Sequence, residues 1–516
     1  MTDPHSPQAE VLAFLLDPAT HGCARENIAH METHLSEIIL AGDLVFKLKR
    51  AVRLPYADFS TYALRLSACR RELELNRRTA PNLYRAVRKI TRDSGGHLQF
   101  DGQGEEIDAV VEMSRFDQQA ILENVAKHNA LSNRHLEALA REIARFHESA
   151  VIVRGDGSML DLLDLNLAAF RTSNFFPQDT VARFDEECRH LHARHLDLLS
   201  HRAQSGSRRQ CHGDMHLRNI CLINDIPVLF DCLEFNPALS TIDVLYDLAF
   251  LLMDLWRLEL RAQANLVLNR YLDTRDDEDG LPLLPFFMAL RAGIRAHVLA
   301  THAADRTAPD HEQVCNDAHR YMALALELLQ PAQARVVAIS GKSGTGKSTV
   351  AAACAHRIGP PPGARILSSD RIRKKLLGVE ACTRLPPDAY SSTMSEKVYA
   401  YQAAHVISLT RAGTGVIADA VFNRPEDRRR LEQAAAAAHV RFSAVCLVAP
   451  VDTLIQRVTT RTSGPSDADA ALVIAQNQLD DHRNQWPEID TSGTLAETVE
   501  RVTRALEENV PDGAAS

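Results

Sequence analysis

The sequence predicts an α+β domain followed by an α/β domain with a doubly wound parallel sheet. Its length of 516 residues exceeds what one hydrophobic core usually supports. Residues 35–115 alternate strand-like runs with helical stretches, and residues 131–200 and 240–330 are almost wholly helical around strand-like pieces at 209–235. Beyond residue 334, strands alternate with helices, which is typical of a parallel sheet.

A domain boundary is predicted near residue 330. The helical run ALALELLQ meets Pro331, and the β-branched run RVVAIS follows. Proline this close to a helix end marks a boundary because it cannot continue the helix. We therefore assign residues 1–330 to the first domain and 334–510 to the second, and we expect residues 511–516 to form a disordered tail.

Composition and charge favour a cytoplasmic protein with locally bound substrates. The net charge is −9, which argues against a protein whose whole surface binds nucleic acid, since such proteins are usually basic. The N-terminus lacks the basic region of a signal peptide, and the apolar stretch VLYDLAFLLMDLWRLEL carries too many charges for a membrane core. The ten cysteines form no CxxC pair, which suits reduced thiols. No feature indicates the oligomeric state.

A phosphate-binding loop is predicted at GKSGTGKS, which matches GxxxxGK[ST] between an apolar strand and a helix. Its glycines let the backbone turn so that N–H groups face phosphate oxygens. Lys347 then reaches the β- and γ-phosphates of ATP, and Ser348 can ligate Mg²⁺. The predicted nucleotide-binding residues are Gly341, Ser343, Gly344, Thr345, Gly346, Lys347, Ser348 and Thr349.

An acceptor site is predicted at SSDRIRKKLLG, which follows the next strand. Parallel strands deliver their carboxyl ends to one edge of the sheet, so Asp370 should lie beside the phosphate loop and act as a catalytic base. Arg373, one helical turn later, can hold an anionic group of the substrate. The alternative is that Asp370 caps the helix and that Arg371, Arg373 and two lysines form a solvated basic face.

A basic lid is predicted around TLIQRVTTRTSGPSDA. Arg457 and Arg461 are four residues apart, hence on one helical face, and a Gly-Pro break follows them. Arginines on a lid can neutralise the transferring phosphoryl group and exclude water, whereas a surface helix with solvated arginines is the alternative. Asp419, at the end of VIADAVF, is either a partner of magnesium, a substrate contact or a structural residue.

This combination of a phosphate loop, an SDxxR element and a basic lid resembles the P-loop small-molecule and polynucleotide kinases, including the zeta-toxin and gluconate-kinase relatives. The resemblance covers residues 334–510 and implies an AAA-type ATP-binding domain. In polynucleotide kinases an aspartate and an arginine three positions later serve as base and phosphate clamp, which corresponds to Asp370 and Arg373 here. The loop alone is shared by many NTPases and does not prove phosphoryl transfer.

A second catalytic loop is predicted at CHGDMHLRNICLINDIPVLFDCLEF in the first domain. His212, Asp214 and Asn219 keep the H-x-D…N spacing of kinase catalytic loops, and a hairpin then brings in Asp231. One carboxylate must take the proton of the acceptor hydroxyl, while an amide oxygen and a second carboxylate hold magnesium. We therefore expect Asp214 to be the base, with Asn219 and Asp231 as metal ligands.

This segment resembles the aminoglycoside phosphotransferase and choline-kinase branch of the protein-kinase-like fold, whose HGDxHxxN loop it matches. The resemblance implies a strand lysine on the nucleotide phosphates, supplied by Lys47 or by Lys49, with Glu72 as its ion-pair partner or as an exposed helix charge. His216 is expected to pack the loop. The sequence lacks the glycine-rich GxGxxG loop ahead of Lys47, so a pseudokinase stays an alternative.

Together these motifs predict a bifunctional phosphotransferase that uses ATP and Mg²⁺ at two sites. Fusions of these two domain types resemble a known bacterial architecture. We expect small-molecule hydroxyl acceptors. The alternatives are a regulatory P-loop ATPase with a kinase-like partner domain and, less favoured because the chain is acidic, a nucleic-acid 5′-hydroxyl kinase.

Overall fold

The computed structural model describes residues 8–54, 57–304, 310–461, 464–478 and 485–508. The chain forms two compact units, one of residues 1–159 with 196–254 and one of residues 160–195 with 255–516. The tail predicted at residues 511–516 lies outside the described residues.

The chain begins with a mixture of short helices and strands. These are α1 (Ala9–Leu16), α2 (Pro18–His21), β1 (Ile28–Glu32), β2 (Ser36–Ala41), β3 (Leu44–Lys49), β4 (Arg53–Leu54), β5 (Ala57–Asp58), α3 (Tyr62–Asn76), β6 (Tyr84–Arg92), β7 (Leu98–Phe100), β8 (Glu105–Ser114), α4 (Leu122–Lys127) and α5 (Asn133–Ser149).

The middle of the chain is mainly helical, as its periodicity predicts. Its elements are α6 (Leu160–Ser173), α7 (Gln178–Arg194), α8 (Leu196–Ser205), β9 (Arg208–Gln210), β10 (Ile220–Ile223), β11 (Ile226–Leu229), α9 (Pro237–Ser240), β12 (Thr241–Asp243), α10 (Val244–Arg257), α11 (Arg261–Thr274), α12 (Leu284–His302) and α13 (His311–Leu328).

Strands and helices then alternate. These elements are β13 (Arg335–Gly341), α14 (Lys347–Cys354), β14 (Arg365–Ser368), α15 (Ser369–Leu376), α16 (Ser392–Arg411), β15 (Val416–Asp419), α17 (Pro425–Ala437), β16 (Arg441–Val448), α18 (Val451–Thr460), α19 (Ala470–Gln478), β17 (Glu488–Asp490) and α20 (Leu495–Glu508).

The first unit is built around a six-stranded sheet of order β1-β2-β3-β8-β6-β7, with antiparallel neighbours. Both faces of this sheet are buried along its central strand β3. Phe46 and Leu48 pack in the same cluster as Leu15 of α1. Val45 packs in another cluster with Cys69 of α3. This alternation along β3 follows from the period of two in a strand, and it places α3 beside the lysines of that strand.

The α/β part of the second unit has a five-stranded parallel sheet of order β14-β15-β13-β16-β17. Helix α14 contacts α20, and α16 contacts α17, so that helices cover the sheet in two groups as in a doubly wound fold. The strands predicted from RVVAIS, ARILSSD, TGVIADAVF and FSAVCLVA correspond to β13 to β16. Because all strands are parallel, their carboxyl ends meet at one edge.

The boundary predicted near residue 330 does not coincide with the boundary between the compact units. Helices α11 to α13 precede residue 330, yet they belong to the same unit as the parallel sheet. The physical reason is a set of buried polar contacts from α11 to the strand β14, such as that between Asn269 Oδ1 and the N–H of Ile366 at 2.8 Å.

One helical stretch of the second unit is long and apolar enough to cross a membrane by length and composition. It spans residues 278–302 and has a mean hydropathy of 1.4 in its most apolar window, of which 67 % is buried inside the fold. It includes α12, which contacts α6, α7 and α13. Burial against neighbouring helices is the environment of a core helix.

Candidate active sites

The catalytic loop of the first unit is fastened to the buried helix α10. Asp247 accepts hydrogen bonds from the N–H groups of His212 at 3.0 Å and Gly213 at 2.8 Å. Asp254 accepts one from the N–H of Leu217 at 3.1 Å. Both carboxylates are buried, so the loop backbone is held by charge-assisted hydrogen bonds. Sequence reasoning used these aspartates only to exclude a membrane span; their spacing of two helical turns is the signal that it missed.

Asp214 and Asn219 lie together, as predicted. The amide nitrogen of Asn219 donates to the backbone oxygen of Asp214 at 2.9 Å and to its carboxylate at 3.0 Å. His216 approaches the same carboxylate at 3.4 Å and packs against the ring of Phe250, with ring centroids 5.2 Å apart. His216 therefore packs the loop as expected, and the side chain of Asp214 remains 39 % exposed to meet an acceptor.

Lys47 joins the helix α3 to the end of the hairpin β10–β11. Its Nζ lies 2.9 Å from Glu72 Oε1 and 2.5 Å from Asp231 Oδ1. Burial lowers the pKa of Lys47, but the carboxylates of Asp231 and Glu72 more than offset this and hold it well above its usual value. Burial raises the pKa of Glu72, and the two neighbouring lysines more than offset this and hold it below its usual value. Glu72 is thus a buried ion-pair partner and not an exposed helix charge.

Lys49 lies on the same side of β3 but has different neighbours. Its side chain is 1 % exposed, and its Nζ contacts Glu72 at 2.5 Å and also Glu234. Lys47 alone of the two is paired with Asp231, a predicted metal ligand, among the described contacts. The geometry therefore favours Lys47 for the nucleotide phosphates and gives Lys49 a buried structural role.

The donor set of the first site fits magnesium. The amide nitrogen of Asn219 is engaged by Asp214, so its amide oxygen is the atom available to a cation. Asp231 adds a half-exposed carboxylate. Amide and carboxylate oxygens are ligands that Mg²⁺ prefers.

The phosphate loop of the second unit needs glycine for space and for conformation. Gly341 and Gly344 have positive φ angles of 142° and 88°, and an added Cβ would lie 2.5 Å from the carbonyl oxygen of Leu447 and 2.7 Å from that of Leu454, respectively. Gly346 also has a positive φ, of 86°. Any L side chain would therefore strain this loop.

Ser348 and Lys347 stand at the start of α14, where the loop ends. The hydroxyl of Ser348 donates to Asp419 Oδ2 at 2.6 Å, which directs its lone pairs away from Asp419 and suits a magnesium ligand. Lys347 Nζ donates to the carbonyl oxygen of Lys342 at 3.0 Å. Burial lowers the pKa of Lys347, partly offset by Asp419 and Asp370, so a bound phosphate would strengthen its charged form. Of the roles weighed for Asp419, this contact favours that of a partner to the metal ligand.

A cavity of about 810 Å³ collects the predicted residues of the second unit. Its walls include Asp370, Asp419 and Arg373 together with the phosphate loop from Ser343 to Thr349. Asp370 lies within the first turn of α15, whose N-cap is Ser368, so the alternative that Asp370 caps this helix is wrong.

Arg373 is nine-tenths buried and lies on the cavity wall. Its Nη1 donates to the carbonyl oxygen of Ala389 at 3.0 Å, and its guanidinium lies 4.8 Å from the ring centroid of Tyr390. Its Nε is buried and has no hydrogen-bond partner within the described part of the chain. The alternative of a solvated basic face is wrong, because Lys374 is also buried and Arg371 is paired with Asp273.

The two arginines predicted for the lid both line this cavity but do not share a helix. Arg457 lies in α18 and donates to Thr491 Oγ1 at 3.0 Å and to its carbonyl oxygen at 2.6 Å. Helix α18 ends at Thr460, so Arg461 has extended backbone and donates to the carbonyl oxygens of Ser466 and Ala468. The shared helical face was therefore a wrong expectation, and the Gly-Pro break explains why the helix stops early.

Gln476 of α19 is a site residue that sequence reasoning missed. Its Oε1 accepts a hydrogen bond from the N–H of Ser343 in the phosphate loop at 2.9 Å, and it lines the cavity. The next residue, Asn477, accepts from Lys342 Nζ at 3.0 Å. A carboxamide oxygen therefore stands at a loop N–H of the kind that binds phosphate. No local motif marks Gln476.

We expect Gln476→Ala to raise nucleotide affinity at the second site by about threefold to tenfold, the effect of one hydrogen bond. Without the carboxamide, the N–H of Ser343 can donate to a phosphate oxygen instead. Binding of fluorescent ATP and ADP analogues measures the change. Gln478→Ala is the matched control, because Gln478 lies on the same helix and is exposed. Equal affinities in the two variants would show that the contact is incidental.

Comparison with known proteins gives two parts that follow the two sets of sequence motifs. A family model described as "Phosphotransferase enzyme family" matches residues 65–284, and one described as "AAA domain" matches residues 336–480. Lys47 precedes the first match. The second match contains the phosphate loop, Asp370 and both lid arginines.

Individual relatives match either the whole chain or one part. Uncharacterized protein Rv2004c of Mycobacterium tuberculosis is 30 % identical over 485 residues, which cover 91 % of this chain and 93 % of that protein. A gluconokinase from Sinorhizobium meliloti is 21 % identical over 34 % of this chain and 92 % of its own, with a TM-score of 0.25. A choline/ethanolamine kinase family protein from Mesorhizobium loti is 15 % identical over 62 % of this chain and 99 % of its own, with a TM-score of 0.38.

The folds and sites define a protein that carries two kinase-type domains, a protein-kinase-like phosphotransferase domain followed by a P-loop kinase domain. The chain belongs to the same family as uncharacterized protein Rv2004c of Mycobacterium tuberculosis. Domains of these families generally use ATP and Mg²⁺.

Proposed function

We propose that the chain is a bifunctional phosphotransferase that transfers the γ-phosphoryl group of ATP to hydroxyl acceptors at two magnesium-dependent sites. The observation that carries this proposal is the cavity of the second unit, where Asp370 and Arg373 line the same space as the phosphate loop. A pure ATP-binding switch has no need of a carboxylate and a buried arginine on the acceptor side. The scattered cysteines, which form no CxxC pair and suit reduced thiols, support a cytoplasmic location, where ATP and Mg²⁺ are available.

The first site supports the same chemistry from an unrelated fold. Asp214 is exposed for an acceptor, Asn219 and Asp231 offer oxygens to a metal, and Lys47 stands beside them. Since the loop is held by Asp247 and α3 supplies a buried partner for Lys47, the site retains the supports that an active kinase needs. This favours an active enzyme over the pseudokinase alternative.

Small-molecule acceptors fit the second site best. A cavity of about 810 Å³ lies within the range for small-ligand pockets and must also admit a nucleotide. The net charge of −9 opposes binding of a long polyanion. An acceptor with both a hydroxyl group and an anionic group would present its hydroxyl to Asp370 and its anionic group to the buried Nε of Arg373.

The proposal is tested by following γ-labelled phosphate from ATP into pooled cell metabolites and into 5′-hydroxyl oligonucleotides. Wild type is compared with Asp214→Asn, Lys347→Ala and Asp370→Asn. Two labelled products that disappear separately in the Asp214 and Asp370 variants support two kinases. Label on oligonucleotides alone supports the nucleic-acid kinase. Release of free phosphate alone, lost in Lys347→Ala, contradicts the bifunctional proposal and supports the regulatory ATPase.

We expect Asp370→Asn to lower transfer at the second site by about 10²–10⁴-fold, the usual contribution of a general base. Binding of ADP should change little, because Ser348 and Lys347 are retained. Steady-state rates with the labelled acceptor measure the loss. The matched control is Asp388→Asn, which removes an exposed carboxylate from the segment between α15 and α16. Comparable losses in both variants would argue against a catalytic role for Asp370.

A further inference from the structure

Helix α11 covers the open edge of the parallel sheet with side-chain amides. The strand β14 is the last strand on its side of the sheet. Asn269 accepts from the N–H of Ile366 at 2.8 Å and donates to the carbonyl oxygen of Ala364 at 3.1 Å. Asn265 donates to the same carbonyl oxygen at 3.0 Å. These amides occupy the place of a neighbouring strand, because they satisfy backbone groups that an edge strand leaves open.

An ion-pair cluster fixes the same edge. Arg365 of β14 is 6 % exposed, and its guanidinium lies 2.9 Å from Asp273 and 2.7 Å from Glu278. The second oxygen of Asp273 lies 3.0 Å from Arg371 of α15. One carboxylate of α11 therefore holds both the strand β14 and the helix that follows it. Buried ion pairs of this kind are geometrically restrictive, since each charge depends on its partner.

The elements that α11 holds are those that carry the acceptor residues. Strand β14 ends at Ser368, which pairs in register with Asp419, and α15 begins at the next residue. Asp370 and Arg373 follow within this helix. Any slip or tilt of β14 would therefore move Asp370 relative to Ser348 and its partner Asp419, whereas the phosphate loop itself stands on β13, two strands away.

We infer that α11 is a positioning element of the second site, and that Asn269 and Asp273 are the positioning residues for the acceptor side. The inference rests on the proposed function of that site. Helix α11 lies within the range that matches the phosphotransferase family model, so a segment of one family match supports the chemistry of the other. The two kinase-type domains are then not interchangeable modules, because the P-loop kinase needs a helix that precedes the predicted boundary.

The test uses the full chain with two variants of different severity. Asn269→Leu keeps the number of side-chain heavy atoms and removes the amide contacts with Ala364, Arg365 and Ile366. Arg371→Gln breaks the pair with Asp273 at a partly exposed position and leaves the core intact. Arg371→Lys is the conservative variant, which retains the charge. Arg504→Gln is the matched control, because it breaks the exposed pair with Glu500 on α20.

Hydrogen–deuterium exchange gives a readout that needs no acceptor. We expect exchange of residues 365–376 to rise about tenfold in Asn269→Leu and about threefold in Arg371→Gln, and to stay near the wild-type rate in Arg371→Lys and Arg504→Gln. Exchange of the phosphate loop and α14 should stay within about twofold of wild type. If Asn269→Leu does not fold, the difference in exchange at residues 365–376 between Arg371→Gln and Arg371→Lys tests the inference instead.

Kinetics with the labelled acceptor gives the second readout. The KM for the acceptor should rise about tenfold in Asn269→Leu while the KM for ATP changes less than about twofold, because only the acceptor side is displaced. Unchanged exchange at residues 365–376 in both variants overturns the inference, and so does an equal rise throughout the second unit. If no acceptor is labelled, the proposed function fails, yet the exchange result still decides whether α11 fixes this edge.

Discussion

Asp214→Asn is expected to lower phosphoryl transfer at the first site by about 10²–10⁴-fold, because it removes the group that takes the acceptor proton. The substitution is nearly isosteric, and the hydrogen bond from Asn219 to the backbone oxygen of residue 214 is retained. The loop itself is held by Asp247 through the backbone of the preceding residues, which the substitution does not touch. The loss should therefore fall on the rate and not on folding.

Transfer at the first site is measured in a background in which the second site is inactive. Transfer of labelled phosphate is compared between Lys347→Ala and the double variant that also carries Asp214→Asn, with ATP binding measured in both. Asp197→Asn, an exposed aspartate of α8 in the same unit, is the matched control. A double variant that retains the transfer rate of Lys347→Ala would show that another group is the base. A loss of ATP binding would indicate that Asp214 acts on the nucleotide instead.

The residues that the structure brings together at each site were predictable because they belong to short, local motifs. The phosphate loop needs glycine at fixed positions between a strand and a helix, and the catalytic loop needs its carboxylate and amide five residues apart. Since the carboxyl ends of parallel strands meet at one edge, the prediction of a parallel sheet also placed Asp370 beside the phosphate loop. The structure brings Asp370 and the loop to one cavity.

The residues that contact and hold these motifs in place were not predictable from the motifs themselves. Lys47 and Lys49 share one side of a strand by the period of two, and only their different contacts with Asp231 and Glu234 separate their roles. Gln476 reaches the phosphate loop across 133 positions of the chain, and no spacing rule connects them. Such contacts depend on how helices pack, which single-sequence periodicity does not specify.

The boundary between the compact units differs from the predicted domain boundary for a related reason. A proline after a helix marks where secondary structure changes, and the change near residue 330 is real because β13 begins at Arg335. The division into compact units depends instead on which helices and strands pack against each other. Side-chain amides of α11 bond to the backbone of Ala364 and of Ile366 in β14 from about 100 positions away. The compact unit therefore includes residues that precede the change in secondary-structure pattern.

Lys347→Ala is expected to lower transfer at the second site by about 10²–10³-fold or more, the effect of removing one preorganised charge from a developing phosphoryl group. The half-buried ammonium of Lys347 is only partly compensated by Asp419 and Asp370, and the pKa of Lys347 is lowered. We therefore expect the β- and γ-phosphates to be its partners when ATP binds. Affinity for ATP should fall more than affinity for AMP, because AMP lacks those phosphates.

Lys342→Ala is the matched control for this loss. Lys342 lies in the same loop, but its ammonium contacts Asn477 of α19 and its side chain is not part of the cavity that holds Asp370. Transfer to the acceptor of the second site should persist in Lys342→Ala and vanish in Lys347→Ala, while transfer through Asp214 continues in both. If Lys347→Ala abolished both transfers, the two sites would depend on one nucleotide, and the assignment of two separate kinase reactions would be wrong.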